Sequence, residues 1–492
     1  MDSECSDKKA PRSDENKQTS NLKWEYLAEG CSSVVFHCKE QRIVLRIKKQ
    51  QQDHDENSSR SCVFSLVDQM QFHQAILKSV FQDDRYFVEP TVVSISDEFH
   101  KRLQETMLSS KKRPDKRLQS GFDKGARDAV ILPHLGFIQE EGGRSGGISR
   151  SFAVEIKPKW GYLPNASSRI KKCHKVKFSK CRFCMHQHLK WQLGKTSSIS
   201  GYCPLDLFDS CTCRVKRAVT SLFATPQNNL RVFYDGKLMY SGLPVEGNIQ
   251  DVSELDDFLT TLYSTCENDS PPGLLTSESI IDIIVQIIYH DSWRSTESVE
   301  DRSPSRGSSE KCKKLEVEAT SNICRPLGPD GVLQKLISAQ KLDQLDIEGI
   351  FPLFSELQAS GEFSKIADDL ANFSSSIWRD FLESFEGTRQ VIGEQYLSES
   401  SLDETISQIQ KFLIAATFKD CSMMITFQRQ AQGDINDCDS VIKSATGDPY
   451  KYQIKLFDLD PKSVYRLNHY YELDHNIIRN YLLGKEGKQC CY

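Results

Sequence analysis

The sequence predicts an α+β protein with two lobes, and three observations support this prediction. The chain has 492 residues, which exceeds the usual size of a single hydrophobic core. Short apolar runs of strand type, VVF and IVLRI, follow Trp24. Helical patterns interrupted by single strands occupy most of the remaining chain. We therefore expect a mainly β N-lobe followed by a larger α/β C-lobe.

The expected domain boundaries follow changes in composition. Segments rich in Ser, Gly and charged residues are typical of tails and connectors, because they bury too little apolar surface to order themselves. The expected order is a disordered tail at 1–22, the N-lobe at 23–138, a hinge at 139–150, the first part of the C-lobe at 151–290, a disordered insert at 291–325, the second part of the C-lobe at 326–475 and a tail at 476–492.

Bulk composition narrows the class of protein. The formal net charge is −5, so general attraction to nucleic acid or to an acidic membrane is not expected. The chain starts with a polar segment, and its most apolar run, IIDIIVQII at 280–288, is too short to cross a bilayer. Seventeen cysteines without a secretion signal favour a reducing compartment. We expect a monomer in the cytoplasm, the nucleus or both.

A glycine turn opens the N-lobe, in WEYLAEGCSSVVF. We expect two short strands joined by a turn at Gly30, with VVF and IVLRI as their apolar halves. Ser32 and Ser33 offer amides and hydroxyls to phosphate oxygens, and Arg46 supplies a cation where kinases place a lysine. This pattern predicts an ATP-phosphate site. An ordinary hairpin with a solvated arginine remains the alternative at this point.

The rest of the N-lobe is expected to hold a helix at 61–81 and a strand near 88–96. Residues 100–128 carry many cations, a run that is typical of a solvated loop. AVILPHLGF then predicts a strand broken by Pro133.

The stretch 151–193 carries the strongest signal of a binding site. SFAVEIKPK alternates like a strand, which places Glu155 and Lys157 on one face, with Lys159 continuing the same parity. CRFCMHQHLKWQL reads as a helix, so His186 and Lys190 lie one turn apart on one side. Two elements that direct cations into a common space predict a site for a polyanion.

Further along the chain, a helix at 214–224 precedes the strand NLRVF and the turn Tyr234-Asp235-Gly236. Asn228 and Asn229 come directly before that strand, where loop amides can donate to a phosphate or a hydroxyl. Ordinary turn chemistry is the alternative for this pair.

Helical patterns recur at 250–265, 277–290, 331–358, 364–386 and 401–416. Asp420 then precedes an apolar strand, and Asp458 ends the strand YQIKLF. If these strands pair in antiparallel fashion, both aspartates lie at one end of the ladder. Lys462, Arg466 and Tyr470 follow at helical spacing, which predicts one face of phosphate donors. Solvated turn and surface residues remain the alternative.

A cysteine pair with metal-ligand spacing, Cys181-x-x-Cys184, precedes or starts the MHQHLK helix. Further candidate ligands of a structural zinc site are Cys173 and His174 upstream, which we expect to complete it, and Cys203, Cys211 and Cys213 downstream. Since only one such pair is present, two reduced thiols packed at a helix start remain the alternative.

Several longer motifs carry a family resemblance. The chain resembles the inositol-pentakisphosphate 2-kinases over residues 24 to about 475, apart from the inserts. The motifs occur in that family's order and are EIKPKWGYLP, CRFCMHQHLK, YCPLDLF, TPQNNLRVF, KLDQLDIEG, AATFKDCSMMITF and FDLDPKSVYRLNHYYELD.

The resemblance implies an inositol-phosphate-kinase-type fold with ATP between the lobes and Mg²⁺ as cofactor. It implies transfer of the γ-phosphate to the 2-hydroxyl of inositol 1,3,4,5,6-pentakisphosphate, with Asp420 as catalytic aspartate and Asp458 and Asp420 as Mg²⁺ ligands. The residues implied for ATP are Gly30, Ser32, Ser33, Arg46 and Glu155. Those implied for the substrate are Arg117 (or Arg113 in the same run), Lys157, Lys159, His186, Lys190, Asn228, Asn229, Lys462, Arg466 and Tyr470.

Two other functions were weighed against the kinase. A non-catalytic module that binds an inositol phosphate or RNA would use the same basic clusters, but the sequence has no RNP-like or KH-like pattern. A protein kinase is disfavoured because the H-R-D, D-F-G and A-P-E set is missing from the sequence.

Overall fold

A computed structural model describes residues 19–30, 33–49, 66–111, 113, 118, 121–123, 125, 127–139, 150–165, 168–242, 248–264, 275–294, 325–371, 375–387, 401–430 and 440–484. The chain divides into two compact units. The first unit comprises Met1–Met70 and Val88–His134, and the second comprises Gln71–Phe87 and Leu135–Tyr492. Of the segments expected to be disordered or flexible, 1–18, 140–149, 295–324 and 485–492 lie outside the described residues.

The first unit is built on a five-stranded antiparallel sheet with the strand order β1-β2-β3-β5-β4. Its strands are β1 (Glu25–Glu29), β2 (Ser33–Cys38), β3 (Ile43–Lys48), β4 (Thr91–Ser94) and β5 (Asp128–Pro133). The sequence predicted two strands before residue 50, whereas the structure has three. VVF and IVLRI are consecutive strands, and the turn at Gly30 joins VVF to β1 instead.

One helix of the first unit was missed from the sequence. Helix α2 runs from Asp97 to Leu108, in a segment where cations from residue 100 onward favoured a loop. The Ser96 hydroxyl accepts a hydrogen bond from the Phe99 N–H and caps the helix. Phe99, Leu103 and Met107 recur at a spacing of four residues and pack into the core of this sheet. Lys101 and Arg102 are exposed on this helix and the other cations of the run follow its end, which is why charge alone misidentified the segment.

The second unit contains a six-stranded antiparallel sheet with the strand order β10-β11-β9-β6-β7-β8. Its strands are β6 (Ser151–Ile156), β7 (Leu230–Tyr234), β8 (Lys237–Ser241), β9 (Ser422–Arg429), β10 (Val441–Lys443) and β11 (Pro449–Phe457). Central β6 and β9 are buried along almost their full length, and their apolar side chains join the helices in one core. The two antiparallel sheets and the many helices make this an α+β protein, as predicted.

The described helices follow the predicted order closely. Besides α2 they are α1 (Leu66–Ile76), α3 (Arg182–Gln192), α4 (Pro204–Leu207), α5 (Thr212–Ala224), α6 (Val252–Ser264), α7 (Ser277–Ser292), α8 (Val332–Gln340), α9 (Asp346–Ala359), α10 (Phe363–Leu370), α11 (Ser376–Gly387), α12 (Leu402–Phe418) and α13 (Leu467–Leu483). The pattern at 364–386 forms two helices, α10 and α11. The tail expected from residue 476 is still helical as far as Leu483, because Ile477, Ile478 and Tyr481 bury an apolar face. Among the described helices there is no apolar run long enough to span a bilayer.

Candidate functional site

Asp420 and Asp458 lie at the same end of the larger sheet. Strands β9 and β11 pair in antiparallel fashion, and Ser422 at the start of β9 is opposite Phe457 at the end of β11. Strand β6 pairs with the other edge of β9, and β6 ends at Ile156, opposite Met423. The segments that follow β6 and β11 therefore start at the edge where β9 begins. The predicted strand pairing is confirmed.

Three lysines contact the two aspartates at this edge. The Nζ of Lys157 lies 2.9 Å from Oδ2 of Asp458. Asp420 accepts two such contacts, from Lys159 at 3.0 Å and from Lys462 at 2.9 Å. The side chains of Asp420 and Asp458 are 55% and 45% exposed, whereas the lysine side chains are largely covered. The carboxylates thus face open space with cations packed around them.

The backbone is strained at two of these residues. Lys159 and Asp458 have φ of +62° and +59°, in the left-handed region that residues with a Cβ rarely adopt. Each such residue costs about 1–3 kcal/mol, and residues with strained backbone are concentrated at functional sites. Strand β6 ends at Ile156, so Lys159 does not continue the pleat as the sequence suggested. A left-handed turn after the strand directs it to Asp420 instead.

Asp420 is held in its ionised form. Burial alone would raise the pKa of Asp420, but Lys159 and Lys462 outweigh it and hold this pKa well below its usual range. Burial opposes the charge of Lys462 too, yet Asp420 raises the pKa of this lysine. At neutral pH Asp420 is therefore a carboxylate that accepts hydrogen bonds, and Lys462 remains a cation.

Glu155 is a buried anion beneath the lysines. Its Oε1 accepts a hydrogen bond from the Ser422 hydroxyl at 2.9 Å, and its Oε2 lies 3.0 Å from Nη1 of Arg231. Burial would raise the pKa of Glu155, but Arg231 and Lys157 keep it low. The structure places Glu155 close to Lys157, as the strand period predicted. Its predicted role toward ATP stays a prediction.

Helix α3 presents His186 and Lys190 one turn apart, as predicted. Burial, together with the nearby Arg182 and Lys190, lowers the pKa of His186 to about 3. Burial, Lys159 and Arg182 also lower the pKa of Lys190. Among the described residues neither side chain has an ion-pair partner. On this face of α3, Lys190 is therefore a cation without an ion pair to any carboxylate of the described residues, whereas Arg182 is paired with Asp474.

The asparagine turn lies next to the same edge of the sheet. Asn228 accepts a hydrogen bond from Arg231 at 3.1 Å through its side-chain oxygen. Asn229 is buried, and its carbonyl accepts a hydrogen bond from the Lys157 N–H at 2.9 Å. The turn thus fixes the start of the segment that carries Lys157 and Lys159.

The predicted face of Lys462, Arg466 and Tyr470 is only partly helical. A short 3₁₀ turn at Val464–Arg466, capped by the Ser463 hydroxyl, precedes α13. Lys462 therefore lies in the loop before the helix, which corrects the prediction. The guanidinium of Arg466 lies 5.7 Å from the centre of the Tyr470 ring, so these two side chains do stack. Lys462 reaches Asp420 from the loop.

In the first unit, Arg46 and Ser33 are neighbours. The Nε of Arg46 donates to the Ser33 hydroxyl at 2.8 Å, and the Gly30 N–H donates to the Ser33 carbonyl at 2.9 Å. Among the described residues, a Cβ added at Gly30 would meet the Ser33 carbonyl oxygen, at 4.0 Å, which is an ordinary contact distance. Ser32 and Arg117 lie outside the described residues.

Arg113 is a buried structural cation rather than a residue that faces solvent. Its Nε lies 2.8 Å from Oε1 of Glu29, and Lys49 contacts the other carboxylate oxygen at 2.6 Å. All three side chains are almost fully buried. The alternative that Arg113 replaces Arg117 as a substrate ligand therefore fails, because Arg113 is committed to Glu29.

The cysteine cluster differs from the predicted zinc ligand set. The Sγ atoms of Cys181, Cys184 and Cys203 lie within 4.8 Å of one another, and all three residues are buried. Cys173 is exposed, and Nδ1 of His174 lies 2.9 Å from Oε1 of Glu348. Cys173 and His174 do not join the group because their 3₁₀ turn, Lys172–Phe178, packs against α9 and α13 instead.

Two arginines beside the site were missed from the sequence. Arg231 bridges Glu155 and Asn228, and nothing in the sequence of β7 distinguishes it from a solvated side chain. Arg182 precedes His186 by four residues, just as His186 precedes Lys190. This helical spacing is visible in the sequence and could have identified Arg182. Its guanidinium lies 4.9 Å from the Trp160 ring centre, and its Nε contacts Asp474 at 2.9 Å.

Comparison with known proteins places these residues in a family context. A model of the family described as inositol-pentakisphosphate 2-kinase matches residues 26–476. The chain is similar to an inositol-pentakisphosphate 2-kinase of Danio rerio, with 29% identity over 95% of this chain and 96% of the relative. It is 28% identical to one of Oryza sativa subsp. indica over 94% of both chains. An Arabidopsis thaliana relative of the same name is 31% identical over 79% of this chain and 72% of its own length.

Proposed function

The chain belongs to the inositol-pentakisphosphate 2-kinase family, so it is a kinase, and we propose that it transfers the γ-phosphate of ATP to the 2-hydroxyl of inositol 1,3,4,5,6-pentakisphosphate. The product is inositol hexakisphosphate. The observation that carries this proposal is the set of lysines around Asp420 and Asp458, together with Lys190, which forms no ion pair with the described carboxylates.

The substrate chemistry matches this charge distribution. Each phosphate of the pentakisphosphate carries close to two negative charges near neutral pH. Lys190 forms no ion pair with the described carboxylates, and burial, together with the nearby Lys159 and Arg182, lowers its pKa. Bound phosphate would supply the missing anions. The proposed phosphate ligands are Lys157, Lys159, His186, Lys190, Asn228, Asn229, Lys462, Arg466 and Tyr470, with Arg117 from outside the described residues.

Asp420 is the proposed catalytic residue. As a carboxylate it accepts the hydrogen bond of the substrate 2-hydroxyl and takes its proton as the new bond to phosphorus forms. The transition state of phosphoryl transfer is loose, so the protein mainly aligns the reactants and neutralises charge. Lys159 and Lys462, which contact Asp420 without substrate, are close enough to hold the phosphates beside the reacting hydroxyl.

The residues fit ATP and Mg²⁺ by chemistry. Gly30, Ser32, Ser33 and Arg46 are proposed to bind the ATP phosphates in the first unit, which corresponds to the N-lobe of such kinases. Asp458 and Asp420 offer half-exposed carboxylate oxygens, the ligands that Mg²⁺ prefers. When bound, the metal neutralises charge on the phosphates.

Asp420→Asn tests the catalytic assignment. Wild-type protein with ATP, Mg²⁺ and the pentakisphosphate should yield the hexakisphosphate, with the new phosphate at position 2. The variant keeps the shape of the side chain but accepts no proton, so kcat should fall by roughly 100-fold or more. Asp403→Asn, an exposed aspartate in the first turn of α12, is the matched control and should retain activity.

The alternative, a non-catalytic binding module, makes a different prediction. It would bind the pentakisphosphate in calorimetry without forming product, and Asp420→Asn would change nothing. An Asp420→Asn variant with wild-type turnover would remove the catalytic role of this residue.

We further propose that Cys181, Cys184 and Cys203 hold a structural zinc ion. Zn–S bonds of about 2.3 Å in a tetrahedral site separate sulfurs by about 3.8 Å. The Sγ atoms of Cys181 and Cys203 are 3.8 Å apart. Elemental analysis of the wild type should find about one zinc per chain, and Cys203→Ser should lose it. Cys213→Ser, at an exposed cysteine, should retain zinc, and a metal-free wild type would remove the proposal.

A further inference from the structure

A buried glutamine behind the site contacts both segments that carry its charged groups. Gln340 is the last residue of α8, and its side chain is fully buried. Its side-chain oxygen accepts a hydrogen bond from the Gly161 N–H at 2.9 Å. Its amide nitrogen donates to the carbonyls of Lys159 at 2.8 Å and Phe418 at 3.2 Å. Gly161 and Lys159 lie in the loop after β6, and Phe418 ends α12 two residues before Asp420.

Only an amide side chain satisfies all three partners. One N–H requires an acceptor and two carbonyls require donors, so the orientation of the Gln340 amide is fixed by its surroundings. A glutamate of the same length would direct a carboxylate oxygen at two carbonyls, and a hydrophobic residue would leave three buried backbone groups unpaired. Each unpaired buried group costs about 1–3 kcal/mol.

These hydrogen bonds enclose the strained backbone of Lys159. Gln340 binds the carbonyl of Lys159 on one side and the N–H of Gly161 on the other. Left-handed backbone at a residue with a Cβ persists only where neighbouring groups fix it. The Gln340 amide is therefore a physical cause of the turn that directs Lys159 to Asp420.

A second set of contacts, through Tyr162 and Asp343, joins the same two segments. The Tyr162 hydroxyl lies 3.0 Å from the Gln340 carbonyl oxygen and 2.9 Å from that of Asp343. The Asp343 carboxylate contacts Nζ of Lys419 at 2.6 Å, and this ammonium lies 4.0 Å from the Trp160 ring centre. The loop after β6 and the end of α12 are therefore joined through buried and half-buried groups.

We propose that Gln340 is a positioning residue for phosphoryl transfer, which fixes Lys159 relative to Asp420 through the backbone of both segments. It acts without touching substrate, since its side chain is fully buried. The inference rests on the proposed kinase function, because it assigns Gln340 to the alignment of that reaction.

Gln340→Met tests the role with a side chain of similar size that forms none of the three hydrogen bonds. Misplacement of a catalytic group by about 1 Å costs up to roughly 100-fold, so kcat should fall by roughly 10- to 100-fold. Gln410→Met is the matched control. Gln410 is also buried and donates to the Ile377 carbonyl at 3.1 Å, so its loss should lower the thermal midpoint without lowering kcat.

A double-mutant cycle with Lys159→Met separates positioning from general destabilisation. If Gln340 acts through Lys159, the double variant should lose little more activity than Lys159→Met alone. Gln410→Met combined with Lys159→Met should show multiplicative effects. Multiplicative losses in the Gln340 cycle, or unchanged kcat in a folded Gln340→Met, would overturn the inference.

A milder variant covers the case in which Gln340→Met does not fold. Gln340→Asn keeps the amide but is one methylene shorter, so it cannot reach all three partners, and the same cycle applies to it. Wild-type enzyme that forms no hexakisphosphate would instead contradict the proposed function, so the two failures are distinguishable.

Discussion

At the residue scale, Asp420 and its lysines form ion pairs that substrate can replace. Asp420 is 55% exposed, and exposed pairs of this kind contribute only about 0.2–1 kcal/mol each. A phosphate carrying about two charges is a stronger partner for Lys159 and Lys462 than one half-exposed carboxylate. The lysines therefore hold Asp420 ionised before substrate arrives and can turn to phosphate when it binds.

His186 gives a pH-dependent prediction at the same scale. Its folded-state pKa of about 3 lies below the ordinary value of 6.5, because of burial and the nearby Arg182, Lys190 and Lys159. The unfolded chain therefore binds more protons between these values, and stability falls as pH decreases through this window. His186→Gln removes this contribution, so the variant should lose less free energy of unfolding than the wild type between pH 7 and pH 4. Urea unfolding across that range measures it, and parallel pH dependences would contradict the assignment.

At the scale of elements, the buried Lys177 connects its own 3₁₀ turn to α9 and to α13. Lys177, in the 3₁₀ turn Lys172–Phe178, contacts Asp474 of α13 at 2.7 Å and Glu348 of α9 at 3.4 Å, and it also contacts Asp346. Arg182 of α3 contacts the same Asp474. The helix that carries His186 and Lys190 is thus tied to the helix that carries Tyr470. Arg182 therefore holds the two proposed substrate-binding faces together, and Lys177 joins α9 to the same Asp474.

Lys177→Met should therefore destabilise the protein strongly. Removal of one partner from a buried ion pair costs about 3–5 kcal/mol, because the remaining charges are left uncompensated. Burial already raises the pKa of Asp346 to about 6, so without Lys177 the carboxylates will take up protons as pH falls. The loss of free energy of unfolding should be larger at pH 8 than at pH 5. Chemical denaturation at both values measures it.

Lys175→Met is the matched control in the same turn, since Lys175 is exposed. Its effect should stay within about 0.5 kcal/mol. Equal effects of the two substitutions would show that the buried ion pairs do not stabilise this region.

At the scale of the whole molecule, the charge of the chain and that of the site have opposite signs. The net charge is −5, yet Lys157, Lys159, Lys190 and Lys462 lie in one unit around the candidate site. A strongly anionic substrate therefore depends on local positive potential, which acts against the average field of the protein.

The KM for the pentakisphosphate should consequently rise with ionic strength. Salt shortens the Debye length from about 10 Å at 0.1 M to about 3 Å at 1 M, and so screens the lysines. Between 0.05 M and 0.5 M KCl we expect an increase on the order of tenfold in KM, with a smaller change in kcat. Steady-state kinetics measures it, with the thermal midpoint as a control for unfolding. A KM that does not change with salt would argue against electrostatic recognition.

Much of this site was predictable from the sequence, because patterns within short segments specify where its residues lie. The period of β6, the helix of His186 and Lys190, and the strands that flank Asp420 and Asp458 are properties of short segments. Lys462 was misplaced because Pro461 and the Ser463 cap delay the start of α13. Cys203 could not be selected from the downstream cysteines as the partner of Cys181, because spacing along the chain does not show which loop returns to a helix.

The sequence by itself determined the family, the α+β class, the order of most elements and the residue types gathered at the candidate site. These follow from periodicity and from motifs that are continuous in the chain. Only the tertiary structure decided which anion each lysine contacts, which arginine is buried and which cysteines meet. Such choices depend on residues hundreds of positions apart, as in the pairing of Lys157 with Asp458, and on burial that sets the strength of each charge. The role inferred for Gln340 is of this kind, because a glutamine at a helix end carries no signal until its three backbone partners are known.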